Sequence, residues 1–265
     1  LSYEGEEYKD FYLDGNADFS IAPSTPDFFK PQTPQFAGNA EITFNHSFEQ
    51  LKTELKINGV KSDMGFLPGK LQLNESTNLE IILRNGKNQS TVPQIKSYEK
   101  IPYLKGKRVK KTVPGLSYSY YEGNWSDIPD FNQQKPVKEG IVNSLKIEDI
   151  TDKLNNYAIR FTGYIEIPEE GMYYFRIRAR DSASLKIHGN LICFEFFYNP
   201  NIKQRDKDSI GVIALSKGMH PFEIDYFNNQ GKGKEELHVL YKMSEEKDIP
   251  FHPIHPDILF RTTNR

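Results

Sequence analysis

The sequence predicts an all-β protein in two modules, and three observations carry that prediction. From Ala158 to Ala179 the side chains alternate between apolar and polar with a period of two, as a half-buried strand requires. The same alternation recurs in short runs separated by turn residues, at Leu51–Ile57, Phe222–Tyr226 and Leu237–Tyr241. The run from Leu51 ends at Asn58-Gly59, a dipeptide that favours the tight turn of a β-hairpin.

In chain order, residues 1–35 form an extended lead-in. Pro23, Pro26, Pro31 and Pro34 hold the backbone extended, and Tyr8, Phe11, Tyr12 and Phe19 offer aromatic surface to a neighbouring domain. The start at Leu1 suggests a processed or trimmed piece of a longer chain. Residues 36–98 read as the small β module, with strands at Ala40–Phe44, Leu51–Ile57, Leu71–Leu73 and Asn78–Leu83. Residues 99–114 are a linker with five cationic residues in seven, from Lys105 to Lys111. Its plain reading is a solvated connector, and the alternative is a contact to acidic polysaccharide or nucleic acid. No aromatic residue is interleaved with those charges, which weighs against nucleic acid.

Residues 115–265 hold the larger module. Tyr118 and Tyr120 mark its opening strand. In the central stretch Ile159, Phe161, Ile165 and Ile167 face one way, and Arg160, Thr162, Tyr164 and Glu166 the other. After the Pro168–Gly171 turn, Tyr173, Phe175, Ile177 and Ala179 point inward. A third run, Ser184–Ile187, ends at the turn His188-Gly189-Asn190, and the three runs are expected to form an antiparallel meander. Further strands are expected at Ser209–Leu215, after which Gly218-Met219-His220 reads as a turn, and at Phe222–Tyr226 and Leu237–Tyr241.

Composition bounds the function. A chain of 265 residues with 13% aromatic and 37% hydrophobic residues suits a packed protein, and a net charge of -2 gives no overall polyanion-binding field. Cys193 is the single cysteine, so no internal disulfide forms, and its apolar surroundings read as a buried thiol. No apolar run is long enough to cross a membrane. There is no nucleophile elbow and no phosphate loop. His252 and His255 have zinc-like spacing, but Pro253 and Pro256 make the segment extended, whereas a zincin pair needs a helix. Glu166, Glu169 and Glu170 read as a solvated turn. Asn45, Asn74, Asn88 and Asn124 head Asn-x-Ser sequons, which mark surface only in a eukaryotic secreted protein.

Several motifs of the larger module belong together. They are Gly163-Tyr-Ile-x-Ile-Pro168, Gly171-x-Tyr-x-Phe-x-Ile177, Asp181-x-x-x-Leu-x-Ile-x-Gly189 and Ile213-x-Leu-x-x-Gly-x-His-Pro-x-x-Ile-x-Tyr-Phe227. With Trp125 and Pro129-Asp130-Phe131 they resemble the protective-antigen-type β-sandwich domain, found in anthrax protective antigen, in flocculin adhesins and beside bacterial glycosidases. The resemblance implies a larger antiparallel sandwich over 115–265. In the smaller module, Leu55-Lys-Ile-Asn-Gly59 and Leu67-Pro-Gly-Lys-Leu-x-Leu73 resemble the immunoglobulin-like module at the C-terminal end of β-hexosaminidases of the chitobiase type, without that module's acidic turn.

In the adhesin branch of the larger family, two consecutive Asp residues and a loop Asn bind calcium, which chelates sugar hydroxyls. The resemblance places Asp181-Ser182 at the Asp pair and Asn228 at the loop Asn. With one carboxylate where the family has two, calcium is expected to be weakly held, because affinity follows ligand charge; the plain alternative gives Asp181 and Asn228 only turn hydrogen bonds. Trp125 and Tyr198 are candidate stacking surfaces for a sugar ring, with core packing the alternative for Trp125. The expected function is a non-catalytic, glycan-binding accessory region of a secreted or cell-surface protein, with an attached catalytic domain as partner and neither nucleic acid nor membrane insertion. The alternative is a pair of structural spacers that pack on a catalytic domain and bind no sugar.

Overall fold

The computed structural model describes residues 29–30, 34–44, 51–62, 69–179, 181–195, 210–229, 237–243 and 249–263. The chain divides into two units, Leu1–Pro102 and Tyr103–Arg265. The aromatic lead-in residues Tyr8, Phe11, Tyr12 and Phe19, the sequon at Asn45, and Tyr198 lie outside the described residues.

The first unit carries β1 (Phe29–Lys30), β2 (Gln35–Phe36), β3 (Ala40–Phe44), β4 (Lys52–Ile57), β5 (Val60–Ser62), β6 (Gly69–Leu73), β7 (Thr77–Arg84) and β8 (Gln94–Lys100). One sheet runs β1-β3-β6 and the other β2-β8-β7-β4-β5. The alternation in β7 is regular: Leu79, Ile81 and Leu83 are wholly buried, and their neighbours Glu80, Ile82 and Arg84 are only partly so. With Ile42, Leu55 and Tyr98 they form the core. The β4–β5 hairpin turns at Asn58-Gly59, both at positive φ (50° and 79°), as its turn dipeptide predicts.

The second unit carries β9 (Thr112–Pro114), β10 (Leu116–Glu122), β11 (Lys138–Val142), β12 (Tyr157–Ile167), β13 (Gly171–Ala179), β14 (Ser182–Ile187), β15 (Asn190–Glu195), β16 (Ile210–Leu215), β17 (Gly218–Asn228), β18 (Leu237–Lys242), β19 (His252–Pro253) and β20 (Leu259–Thr262). Eight strands form one sheet in the order β11-β10-β12-β17-β14-β15, with β20 pairing both β12 and β9; the facing sheet runs β16-β13-β18-β19. Phe161 and Tyr226 from the first sheet and Tyr173 and Phe175 from the second are fully buried in the core of this unit. Each such side chain contributes about 1.5–3 kcal/mol of burial free energy.

Two expectations are corrected here. The central runs do not form a meander: β12 lies in the eight-stranded sheet, β13 in the facing sheet, and β14 returns to the first beside β17. Of these runs, Ser184–Ile187 alone lies in a hairpin, β14 with β15 through His188-Gly189 at φ 53° and 79°. A period of two reveals which face of a strand is dry but not which strand lies beside it, and strands on opposite sides of one core carry the same pattern. Likewise Gly218-Met219-His220 is not a turn. It opens β17, and His220 is wholly buried. The adjoining Gly and Pro imitate turn chemistry, but His220 finds polar partners inside, with Nδ1 2.8 Å from His188 Nε2 and Nε2 2.8 Å from the Ser216 carbonyl oxygen.

The basic stretch is fastened to this second unit. Leu104 N–H donates to Ala214 O at 2.9 Å, and Lys107 N–H donates to Met219 O at 2.7 Å. Thr112–Pro114 then pairs with β20.

Candidate functional site

The strand register collects one group of residues at one end of the eight-stranded sheet. Glu122, the last residue of β10, pairs with Tyr157, the first of β12. Tyr157 pairs in turn with Asn228, the last of β17, and the neighbouring Phe227 pairs with Ser182, the first of β14. The loops leaving these strand ends therefore meet.

Asp181 stands immediately before β14. Its side chain is buried, and its Oδ2 accepts the Asn229 backbone N–H at 2.5 Å. Asn229 Nδ2 donates to the Trp125 carbonyl oxygen at 3.1 Å. Asn228 is buried beside it: Nδ2 donates to the Tyr157 hydroxyl at 3.2 Å, and Oδ1 has no hydrogen-bond partner. The residues just after β10, before β14 and after β17 are thus joined through the Asp181 carboxylate and the Asn229 amide, and the Asn228 amide ties β17 to the start of β12.

Beneath the first of these loops is a small second core on the outer face of the sheet, formed by Tyr121, Phe131, Ala158 and Phe227, with Trp125 and Ile128 packed on it. The Tyr121 and Phe131 rings are 4.7 Å apart at 59°. Asp130 caps the turn Phe131–Gln133 by accepting the Asn132 N–H at 3.0 Å, which fixes the loop. The Trp125 indole lies against Gly123, where an added Cβ would come within 2.8 Å of its Cε2 and Cη2. The ring needs the bare glycine backbone to lie that close. Trp125 is half-buried, so one part of the indole packs and another is left to solvent.

Of the residues expected at a site, Asp181, Asn228 and Trp125 are brought together, linked by Asn229. Ser182 is wholly buried and stands below them. Asn229 carries two of the three connecting bonds and is absent from the sequence-based set; its place beside Asn228 in the Asn-Asn step was the available signal.

The described donors do not make a calcium site. Calcium takes 6–8 oxygens with several carboxylates. Here there is one carboxylate, half of it holding a backbone N–H, and one amide oxygen. Among the described residues no group of three or more His, Cys, Asp or Glu could hold a metal ion. His252 and His255 are exposed, and His255 faces Asp257 at 3.1 Å. Glu166, Glu169 and Glu170 are exposed. Burial pushes the Cys193 thiol up to about 12 and keeps it in the unreactive form.

On the same outer face is a group of charges that the sequence does not announce. Arg160 grips buried Asp225 through Nε and Nη2 at 2.6 and 3.0 Å, while Lys186 Nζ reaches Asp225 at 2.7 Å and Glu223 at 2.9 Å. The Arg160 guanidinium lies 4.5 Å from the centre of the Phe131 ring, tying this network to the small second core.

Residues 112–251 match the PA14 domain family. Over 197 residues the chain is 28% identical to a β-hexosaminidase of Porphyromonas gingivalis (strain ATCC BAA-308 / W83), covering 66% of this chain and 23% of that protein. The epithelial adhesin 6 A domain of Candida glabrata, solved in complex with Galβ1-3GlcNAc, superposes with a TM-score of 0.43 at 13% identity, covering 58% of this chain and 89% of that one. A PA14 sugar-binding domain from an RTX adhesin gives 0.41 at 20% identity, covering 56% and 99%.

Proposed function

This chain belongs to the PA14 domain family, and from that membership we propose that it is a non-catalytic carbohydrate-binding region of a secreted or cell-surface protein that degrades glycans. The observation that carries the reading is the junction at one sheet end, where Asp181 holds Asn229, Asn229 holds the carbonyl oxygen of a half-buried Trp125, and Asn228 is bonded to Tyr157 beside them. An indole face meets the apolar C–H face of a pyranose, while the buried Asp181 carboxylate and Asn228 amide hold the residues that present it. Bonds already made inside the site reduce the ordering that binding requires.

No step runs through a metal. Asp181 already holds Asn229 by a hydrogen bond between the chain's own groups. Binding is therefore independent of calcium. Asp181, Ser182 and Asn228 support the loop, Trp125 offers the stacking face, and Tyr198 is retained as a second aromatic contact. The attached catalyst is proposed to be a glycosidase, supported by the β-hexosaminidase likeness, of which this chain spans 23%. Tethering then acts by raising the local concentration of catalyst on its substrate. Among the described residues no helix is long and apolar enough to cross a membrane.

A second reading, structural spacers without a sugar site, is favoured by one observation: Asp181 is committed to an internal bond and Ser182 is buried. A glycan array probed with the whole chain, with calcium and with chelator, separates the two. Calcium-independent binding that is lost in Trp125→Ala supports the proposal. A folded chain that binds nothing leaves the spacers, and binding abolished by chelator overturns the metal-free mechanism.

A further inference from the structure

The basic stretch is held on the sandwich as a strap. Leu104 N–H donates to Ala214 O at 2.9 Å and its carbonyl accepts Ser216 N–H at 3.0 Å. Gly106 N–H donates to Ser216 Oγ at 3.1 Å, and a Cβ on Gly106 would come within 3.1 Å of Gly218 Cα. Lys107 N–H donates to Met219 O, and from Thr112 the chain is a strand again, paired with β20. Both ends of the strap are fixed by backbone bonds, so its charges are displayed from a set position.

Lys105, Lys107, Arg108, Lys110 and Lys111 are exposed, as is Lys217 in the turn that the strap crosses. None of the six makes an ion pair among the described residues. The acids beside the strap are Glu166, opposite Met219 on β12, and Glu170, whose charge joins burial in pushing the Tyr103 phenol up; both are exposed and neither is in ion-pair reach of these cations. Five like charges on one fixed segment, with a sixth at Lys217 beside it, repel each other, and nothing on the described surface relieves them. In a chain whose net charge is only -2, this is a local field with no global counterpart.

We propose that the strap is a binding surface for an acidic polysaccharide, separate from the loop site around Trp125. The strap lies outside residues 112–251, the part of the chain that matches the family. From Lys105 to Lys111 the chain spans at most ~20 Å, a line of charge suited to a polymer carrying repeated carboxylates or sulfates. Only Gly106 and Val109 lie between the cations, so no aromatic ring is present to stack on an unpaired base. The strap is also neither helical nor apolar, as an amphipathic membrane anchor would be.

The test uses the whole chain on immobilised heparin and on a polyuronate, with double-stranded DNA, phosphatidylserine vesicles and neutral dextran as comparisons. The variant K105Q/K107Q/R108Q/K110Q/K111Q is compared at several salt concentrations, with its unfolding midpoint checked. Wild type is expected to bind both acidic polysaccharides and not dextran. The variant is expected to lose roughly tenfold or more in affinity, with a shallower dependence on salt. Trp125→Ala is expected to bind heparin as wild type does. If the fivefold variant does not fold, K110Q/K111Q, which touches none of the anchoring bonds, is expected to lose a smaller but measurable part. Unchanged retention in the folded variants, tighter binding to DNA or to vesicles than to either polysaccharide, or loss of heparin binding in Trp125→Ala overturns the proposal.

Discussion

The Asp181 carboxylate accepts the backbone N–H of Asn229 at 2.5 Å and thereby ties the start of β14 to the end of β17. Asp181 is buried, so the N–H it serves has little water to replace it. Asp181→Ala is expected to destabilise the second unit by about 1–3 kcal/mol, the usual effect of leaving a buried donor unsatisfied. Asp181→Asn, which keeps an acceptor oxygen, is expected to lose less. Urea unfolding of both variants is the measurement, and equal loss would show that the charge matters rather than the bond.

Asp225 is the anion on which two cations depend. Arg160 and Lys186 both reach it, and only 3% of Asp225 is exposed. Asp225→Ala is expected to cost about 3–5 kcal/mol, because it leaves two partly buried cations sharing the single, more exposed Glu223 carboxylate. A change below 1 kcal/mol in denaturant unfolding would mean that solvent already screens the network.

The His188–His220 pair predicts a pH dependence. His220 Nε2–H donates to the Ser216 carbonyl oxygen, so His220 Nδ1 accepts from His188 Nε2–H, and both rings are neutral. Burial lowers the pKa of each ring below the ordinary 6.5, with His220 and Lys107 adding repulsion at His188, and the Ser216 carbonyl opposing the shift at His220. The unfolded chain then binds more protons than the folded one just below pH 6.5. Stability is fully present above that value and falls as pH drops through it toward the lowered native pKa values. The slope is at most about 1.4 kcal/mol per pH unit for each proton. Unfolding midpoints between pH 5 and 8 should fall on the acid side, and His220→Gln should flatten the curve. A wild-type midpoint independent of pH over that range would refute the assignment.

Gly163 marks the crossing of β12 and β20. An added Cβ would collide with the Phe260 carbonyl oxygen and come within 2.6 Å of Leu116 Cδ2. Gly163→Ala is expected to cost about 1–3 kcal/mol through overpacking. Hydrogen exchange should show faster opening of β9 and β20 before the rest of the sheet loosens. Unchanged exchange there would mean that the crossing relaxes without harm.

Much of the layer structure was legible in single strands. Tyr173, Phe175 and Ile177 show their dry face, and Asn58-Gly59 shows its turn, because both depend on nearest neighbours along the chain. What lay beyond the sequence was pairing in space. The chain crosses between sheets after Ile167 and again after Ala179, and nothing local distinguishes that crossing from a hairpin. Asp225 reads as a wet residue by parity, yet Arg160 and Lys186 cover it from strands 65 and 39 positions away. Of the candidate site, Asp181, Asn228 and Trp125 were found by resemblance to family motifs. Asn229 was not, because its role depends on two partners, 48 and 104 positions distant.

The leading and trailing strands of the sandwich carry a mechanical consequence. Thr112 pairs with Thr262, and Phe260 with Pro114, so the chain comes in and goes out side by side at the same end of β9 and β20. Tension applied through the outgoing segment loads these bonds one after another, as in a zipper, instead of all together in shear. On the outgoing side the first event under load is the peeling of β20 from β9 toward the Gly163 crossing, whereas on the incoming side the load meets the bonds of Leu104, Gly106 and Lys107 to Ala214, Ser216 and Met219 before it reaches β9. A module built this way gives first at its outgoing edge and holds at its incoming one.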